Sequence, residues 1–152
     1  MTSISYLDKI VSAKYISSAD LKDAVFELLS LKNFSEEEKI FLTENLLKKE
    51  ERFSTYFTDE TIVQSSLIKS DEIFLLSGVS KTPVKNNSAA QNDFKVMFLI
   101  LYGEKKKNEY LKLLAFLYRM LSGRQIKNRL LSCDKEAEIK EQIIKAINEI
   151  EG

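Results

Sequence analysis

Residues 94–102 read Phe94-Lys95-Val96-Met97-Phe98-Leu99-Ile100-Leu101-Tyr102. The unbroken apolar run from Val96 to Leu101 leaves no polar face, which is the pattern of a central strand covered on both sides. Two more runs of strand length precede it, Thr61-Ile62-Val63-Gln64-Ser65 and Glu72-Ile73-Phe74-Leu75-Leu76-Ser77-Gly78-Val79. Each is apolar or β-branched and is bounded by polar, glycine or asparagine residues. Between the last two strands, residues 85–92 (Lys-Asn-Asn-Ser-Ala-Ala-Gln-Asn) read as a mobile loop.

Helical patterns flank these strands. Leu21, Ala24, Val25, Leu28 and Leu29 recur at helical spacing behind Ser17 and Ser18. Ser35-Glu36-Glu37-Glu38 is a capping-box pattern, in which a serine hydroxyl and a glutamate three residues on satisfy the first free amides. It opens a second helix through Ile40, Phe41, Leu46 and Leu47, ending near Arg52. After Gly103, Leu111, Leu114, Leu117, Tyr118 and Leu121 form one stripe, with Gly123 placed to stop it. Ile126, Leu130 and Leu131 suggest a short helix. Asp134 is placed to cap a last one, whose apolar face is Ile139, Ile143, Ala146, Ile147 and Ile150. Helices first, strands in the middle and helices last, without strict alternation, predict an α/β (α+β) fold. The expectation is a small mixed β-sheet flanked by helices, in one domain spanning residues 1–152.

Composition narrows the chemistry. The 23 basic and 23 acidic residues cancel, so no global field attracts nucleic acid, and none is expected as a partner. The chain has no histidine, which excludes phosphohistidine chemistry on it. Its one cysteine, Cys133, suits a reducing cytoplasm, and as a nucleophile it lacks a histidine to activate it. No Cys or His cluster exists to hold a metal, and no cofactor is implied. Residues 1–10 carry no secretory pattern. Residues 96–102 are far shorter than the roughly 20 apolar residues a bilayer span needs. A cytoplasmic protein, not embedded in a membrane, is expected.

Over nearly its whole length the sequence resembles the enzyme IIA domains of the phosphotransferase system, of the fructose/mannitol and nitrogen-regulatory type. Leu46-Leu47-Lys48-Lys49-Glu50-Glu51 resembles the end of the second family helix, with Lys49-Glu50 in place of an Arg-Glu pair. Ser54-Thr55 matches the start of the family's glycine-containing turn, and Thr61 to Ser65 resembles its active-site strand. Residues 77–84 resemble the strand and bend that follow, residues 94–101 the core strand, and residues 110–117 the next helix. The start of the last helix falls at residues 130–139. In that family one histidine accepts a phosphoryl group from a phosphohistidine carrier and passes it on. By this resemblance Ser65 stands at its place, Gln64 at the place of the preceding proline, and Tyr110 at the second family histidine. The glycines of the turn fall at Tyr56, Thr58 and Glu60, where bulky and acidic side chains would obstruct a phosphate.

The resemblance therefore implies a non-catalytic regulatory or binding protein that acts on a phosphocarrier, sensor kinase or transporter. The alternative is an enzyme or small-anion-binding protein with a repurposed site around Ser65, Lys49, Asp59 and Glu60. Each residue also has a plainer reading. Ser65 needs a base to become a nucleophile and is otherwise an ordinary strand-end serine. Lys49 and Arg52 could bind an anion, yet basic residues at a helix end also complement its dipole. Asp59 and Glu60 are adjacent on a turn, a spacing expected to send them different ways. Phe53, Tyr56 and Phe57 make an apolar docking patch if exposed and core if buried. Lys105-Lys106-Lys107 is read as solubilising surface.

Overall fold

The computed structural model describes residues 4–52, 55–86, 92–123 and 126–151, and in it the run beginning at Phe94 is the middle strand of a five-stranded mixed sheet. The strands are β1 (Val11–Tyr15), β2 (Tyr56–Thr58), β3 (Thr61–Ile68), β4 (Ile73–Val84) and β5 (Phe94–Gly103), in spatial order β1-β4-β5-β3-β2. β4 and β5 are antiparallel, β1 joins β4 and β3 joins β5 in parallel, and β2 folds back antiparallel on β3. The helices are α1 (Ile4–Ile10), α2 (Leu21–Leu29), α3 (Glu36–Arg52), α4 (Lys107–Gly123), α5 (Ile126–Leu131) and α6 (Glu136–Glu151).

Side-chain alternation along β5 feeds two cores at once. Val96, Phe98 and Ile100 pack with residues of α1, α4, α5 and α6, while Met97, Leu99 and Leu101 pack with α2 and α3. Helices on both faces explain why the strand has no polar side.

The capping box at α3 forms as its pattern requires. The Glu38 amide donates to Ser35 Oγ at 3.1 Å, and the Ser35 amide to Glu38 Oε1 at 3.2 Å. Elsewhere the sequence reading needs correction. A helix and a strand, α1 and β1, come before the first expected helix, so strands are not confined to the middle. Only Val11 of β1 is buried, and Ser12, Lys14 and Tyr15 break any apolar run. The α2 helix is capped by Asp20, whose carboxylate accepts from the Asp23 amide at 2.9 Å. Ser17 and Ser18 are held by Glu27 instead. On α4 the buried stripe is Leu113, Phe116, Leu117 and Met120, whereas Leu111 and Tyr118 are exposed. The helix carries apolar residues over a broad arc, and contact with α6 and β5 selects which part is covered. At α6 the Glu138 carboxylate reaches back to the amides of Asp134 and Lys135, and the helix starts at Glu136, later than an Asp134 cap would set it. In the expected loop, Lys85 bridges to Asp20 and Asn86 is buried, while residues 87–91 lie outside the described residues.

Glu27 ties the β1–α2 connection together. Its carboxylate pairs with Lys14 at 2.8 Å and accepts from the hydroxyls and amides of Ser17 and Ser18. Burial pushes its pKa up, but the hydrogen bonds from Lys14, Ser18 and Ser17 together outweigh burial and hold it at about 2, against 4.5. A depressed folded-state pKa stabilises above the unfolded value, and that contribution is lost as pH falls through the folded one. Glu27→Gln is therefore expected to lower stability at pH 7 by about 2 kcal/mol. It should also flatten the loss of stability between pH 4.5 and about 2, measured by urea unfolding across that window.

Candidate functional site at the third strand and the start of the fourth helix

Gln64 and Ser65 are adjacent on β3 and face opposite sides of the sheet. Ser65 looks towards α4. Its hydroxyl lies 2.9 Å from the hydroxyl of Tyr110, one turn into that helix. Tyr102, near the end of β5, stacks on Tyr110 with ring centroids 4.0 Å apart and planes 4° from parallel. Burial and the neighbouring Tyr110 raise the pKa of the Tyr102 phenol above its ordinary value. The Ser65 carbonyl accepts from Lys49 Nζ at 3.3 Å.

Gln64 looks the other way, into a polar knot around Glu50. Glu50 is 1% exposed on the inner face of α3. It accepts from the Thr55 amide at 3.1 Å, from the Thr55 hydroxyl, from Gln64 Nε2 at 3.4 Å and from Asn86 Nδ2 at 3.1 Å. Among the described residues no cation pairs with Glu50, and these bonds are what a buried carboxyl group then requires. They join α3, the approach to β2, β3 and the end of β4.

The β2–β3 turn forms a third group. Asp59 and Glu60 both take left-handed backbone conformations, with φ of 53° and 58°. The Glu60 amide donates to the Tyr56 hydroxyl at 3.0 Å, and the Thr61 hydroxyl to the Asp59 carbonyl at 3.1 Å. The two carboxylates do not diverge. Lys127 of α5 meets Asp59 Oδ1 at 2.8 Å and Glu60 Oε1 at 3.3 Å, because the left-handed turn brings both side chains round to one cation. The hydrogen bond to Asp59 raises the Lys127 pKa, and Glu60 adds to it against the opposing effect of burial.

The expected site residues thus fall into separate groups. Ser65 and Tyr110 meet, and Lys49 touches Ser65 through its carbonyl only. Thr55 and Gln64 belong to the Glu50 knot on the other face. Asp59 belongs to the turn, separated from Ser65 by the stretch of β3 from Thr61, about 13 Å at the rise of an extended strand. Arg52 is exposed at the end of α3. Tyr56 and Phe57 are half-buried. Phe57 stacks on Tyr118 with centroids 5.1 Å apart, so it contributes to packing more than to an open patch. Phe53 and Ser54 lie outside the described residues. Sequence reasoning missed Lys127, Asn86 and Tyr102, which carry no local motif and matter through contacts made across the fold.

Chemically, the Ser65 and Tyr110 hydroxyls share one hydrogen bond. One of the two hydroxyls donates to the other, and a phenol is a poor base for activating a serine at neutral pH. Lys49 donates to a backbone carbonyl, which requires no free amine. Among the described residues, no group of three Cys, Asp or Glu side chains could hold a metal ion. Cys133 is buried, and burial raises its pKa, away from a reactive thiolate. No described helix is long and apolar enough to cross a membrane.

Solved structures share this architecture. The nitrogen regulatory protein IIA-Ntr from Neisseria meningitidis matches with a TM-score of 0.66 at 19% identity, covering 93% of this chain and 94% of that one. IIA mannitol from Escherichia coli matches with a TM-score of 0.63 at 12% identity, covering 92% and 96%. At such identities the likeness is one of fold. No curated protein sequence matches the chain. The family model for the phosphoenolpyruvate-dependent sugar phosphotransferase system, EIIA 2, matches residues 10–146, and the chain belongs to that family.

Proposed function

We propose that this IIA-type chain has lost phosphohistidine transfer and acts as a regulatory module by binding other proteins. The observation that carries this reading is the hydroxyl pair of Ser65 and Tyr110 at 2.9 Å. By the family resemblance these two residues stand where the phosphoryl-bearing histidine and its neighbour would be, and they hold each other instead of a phosphate. The absence of any histidine from the chain and the acidic, glycine-free turn at Asp59 and Glu60 support it. A repurposed enzyme site around Ser65, Lys49 and Asp59 has less support, because Asp59 pairs with Lys127 on another part of the sheet.

The partner classes that fit are a phosphocarrier, a sensor kinase or a transporter domain of the phosphotransferase system. The test is mild crosslinking in the native lysate, identification of the captured proteins, and direct titration of each purified partner. The reading predicts that a member of these classes binds the pure chain and that Ser65→Ala leaves its affinity unchanged within about twofold. Binding that collapses on loss of the Ser65 hydroxyl, or no binding by any of these classes, contradicts it.

A further inference from the structure

The β2 strand covers only the beginning of β3. Its pairs lie at Thr61 and Ile62, and among the described residues the furthest backbone bond along that side runs from the Val63 amide to the Thr55 carbonyl. Successive odd-numbered residues of β3 present their backbone groups to the same edge. Ser65 does so, and its carbonyl is taken by Lys49 Nζ. Leu67 comes next. Among the described residues no strand pairs with it on that side, and its carbonyl accepts only from the neighbouring Ser66 hydroxyl. Among the described residues, the outer edge of the sheet is therefore left without a neighbouring strand at Leu67.

Beside that edge lies a groove of about 820 Å³ between α3 and the end of β3. Phe41, Leu42, Leu67 and Ile68 form its apolar lining. Phe41 is 62% and Leu67 54% exposed, so the two largest apolar exposures named in the fold meet in one place. Glu37 and Glu38 stand on the α3 lip, with Lys69 at the strand end, leaving the lip net acidic. Glu36, one residue away, is neutralised by Lys39 at 3.0 Å, whereas Glu37 has no ion pair among the described residues.

We infer that this open edge and groove receive an extended segment of a partner protein, which adds a strand to β3. Main-chain hydrogen bonds to Leu67 give the affinity. An apolar side chain enters between Phe41 and Ile68, and a lysine or arginine lies over Glu37 and Glu38. Such a segment is not required to contact Ser65 or Tyr110, so the silenced site does not limit it. The inference rests on the protein-binding reading above and specifies its mode. A partner that binds elsewhere would overturn the mode and leave that reading standing.

The probe is a short blocked peptide of alternating valine and lysine, titrated into isotope-labelled protein and followed by amide shifts and hydrogen exchange. A matched peptide with glutamate for lysine is the control. The expected result is perturbation confined to residues 65–69 and 37–42, with exchange of the Leu67 amide slowed about tenfold. Phe41→Asp and Leu67→Asp, both at exposed positions, should each weaken binding about tenfold, and the glutamate peptide should bind several-fold more weakly. Unperturbed amides along 65–69, or equal affinity for the two peptides, would overturn the inference. So would a concentration-dependent dimer of the chain alone that Leu67→Asp abolishes, because a second copy would then occupy the edge.

Discussion

Phe98→Ala is expected to destabilise the fold by about 3–5 kcal/mol in urea unfolding, the largest effect of any single truncation considered. Phe98 is fully buried at the middle of the central strand. Its side chain enters the core that α1, α4, α5 and α6 close from one side, among Val63, Leu117, Ile143 and Ile147. Removing the ring forfeits its transfer free energy and leaves a cavity that four helices, anchored elsewhere, cannot collapse to fill. Strand pairing on both sides holds the backbone there, since Phe98 is registered against Ser77 of β4 and Val63 of β3. Phe98→Leu keeps much of the volume and should cost about 1–2 kcal/mol. A cost for alanine below about 1 kcal/mol would mean that the core relaxes freely, contrary to the two-layer packing described.

Glu50→Ala is expected to cost about 3 kcal/mol, because it leaves several buried donors without their acceptor. The carboxylate is the shared acceptor for the Thr55 amide and hydroxyl, the Gln64 amide group and the Asn86 amide group. Without it, buried donors on three segments lose their partner, at about 1–3 kcal/mol for each group left unsatisfied. Glu50→Gln should be milder, about 1–2 kcal/mol, because one oxygen still accepts. Its amide can also donate to the Gln64 carbonyl oxygen, which is buried without a hydrogen-bond partner among the described residues. Thermal unfolding checks the order, at about 2–4 °C per kcal/mol for a chain of this size. A Glu50→Ala protein as stable as the parent would show that water reaches these donors. The knot would then not fix α3 to the sheet.

The elements that could be read from sequence are those whose own residues determine their environment. Val96 to Leu101 is apolar throughout because helices cover both sides, and the run says so without help. Ser35 and Glu38 cap α3 within a single turn, and the motif contains both partners. β1 was invisible because its sheet position depends on β4, more than fifty residues away, and not on an apolar pattern of its own. The site divides in the same way. The family resemblance singles out Ser65 and Tyr110 as an expectation, and the fold brings their hydroxyls within 2.9 Å. Asp59 and Glu60 were expected to diverge on spacing alone, but spacing does not reveal a left-handed turn or a lysine arriving from α5. The groove between Phe41 and Leu67 joins residues from two elements, neither of which looks unusual alone.

The most direct measurement of the central claim presents the purified chain with a histidine phosphocarrier charged from phosphoenolpyruvate, then follows the phosphoryl group by intact-mass spectrometry and acid lability. The account predicts that the carrier keeps its phosphate at the rate of spontaneous hydrolysis and that the chain gains none, on Ser65, Tyr110 or elsewhere. A phosphoryl group transferred to the chain, above all one lost in Ser65→Ala, would contradict it and make the hydroxyl pair an active site.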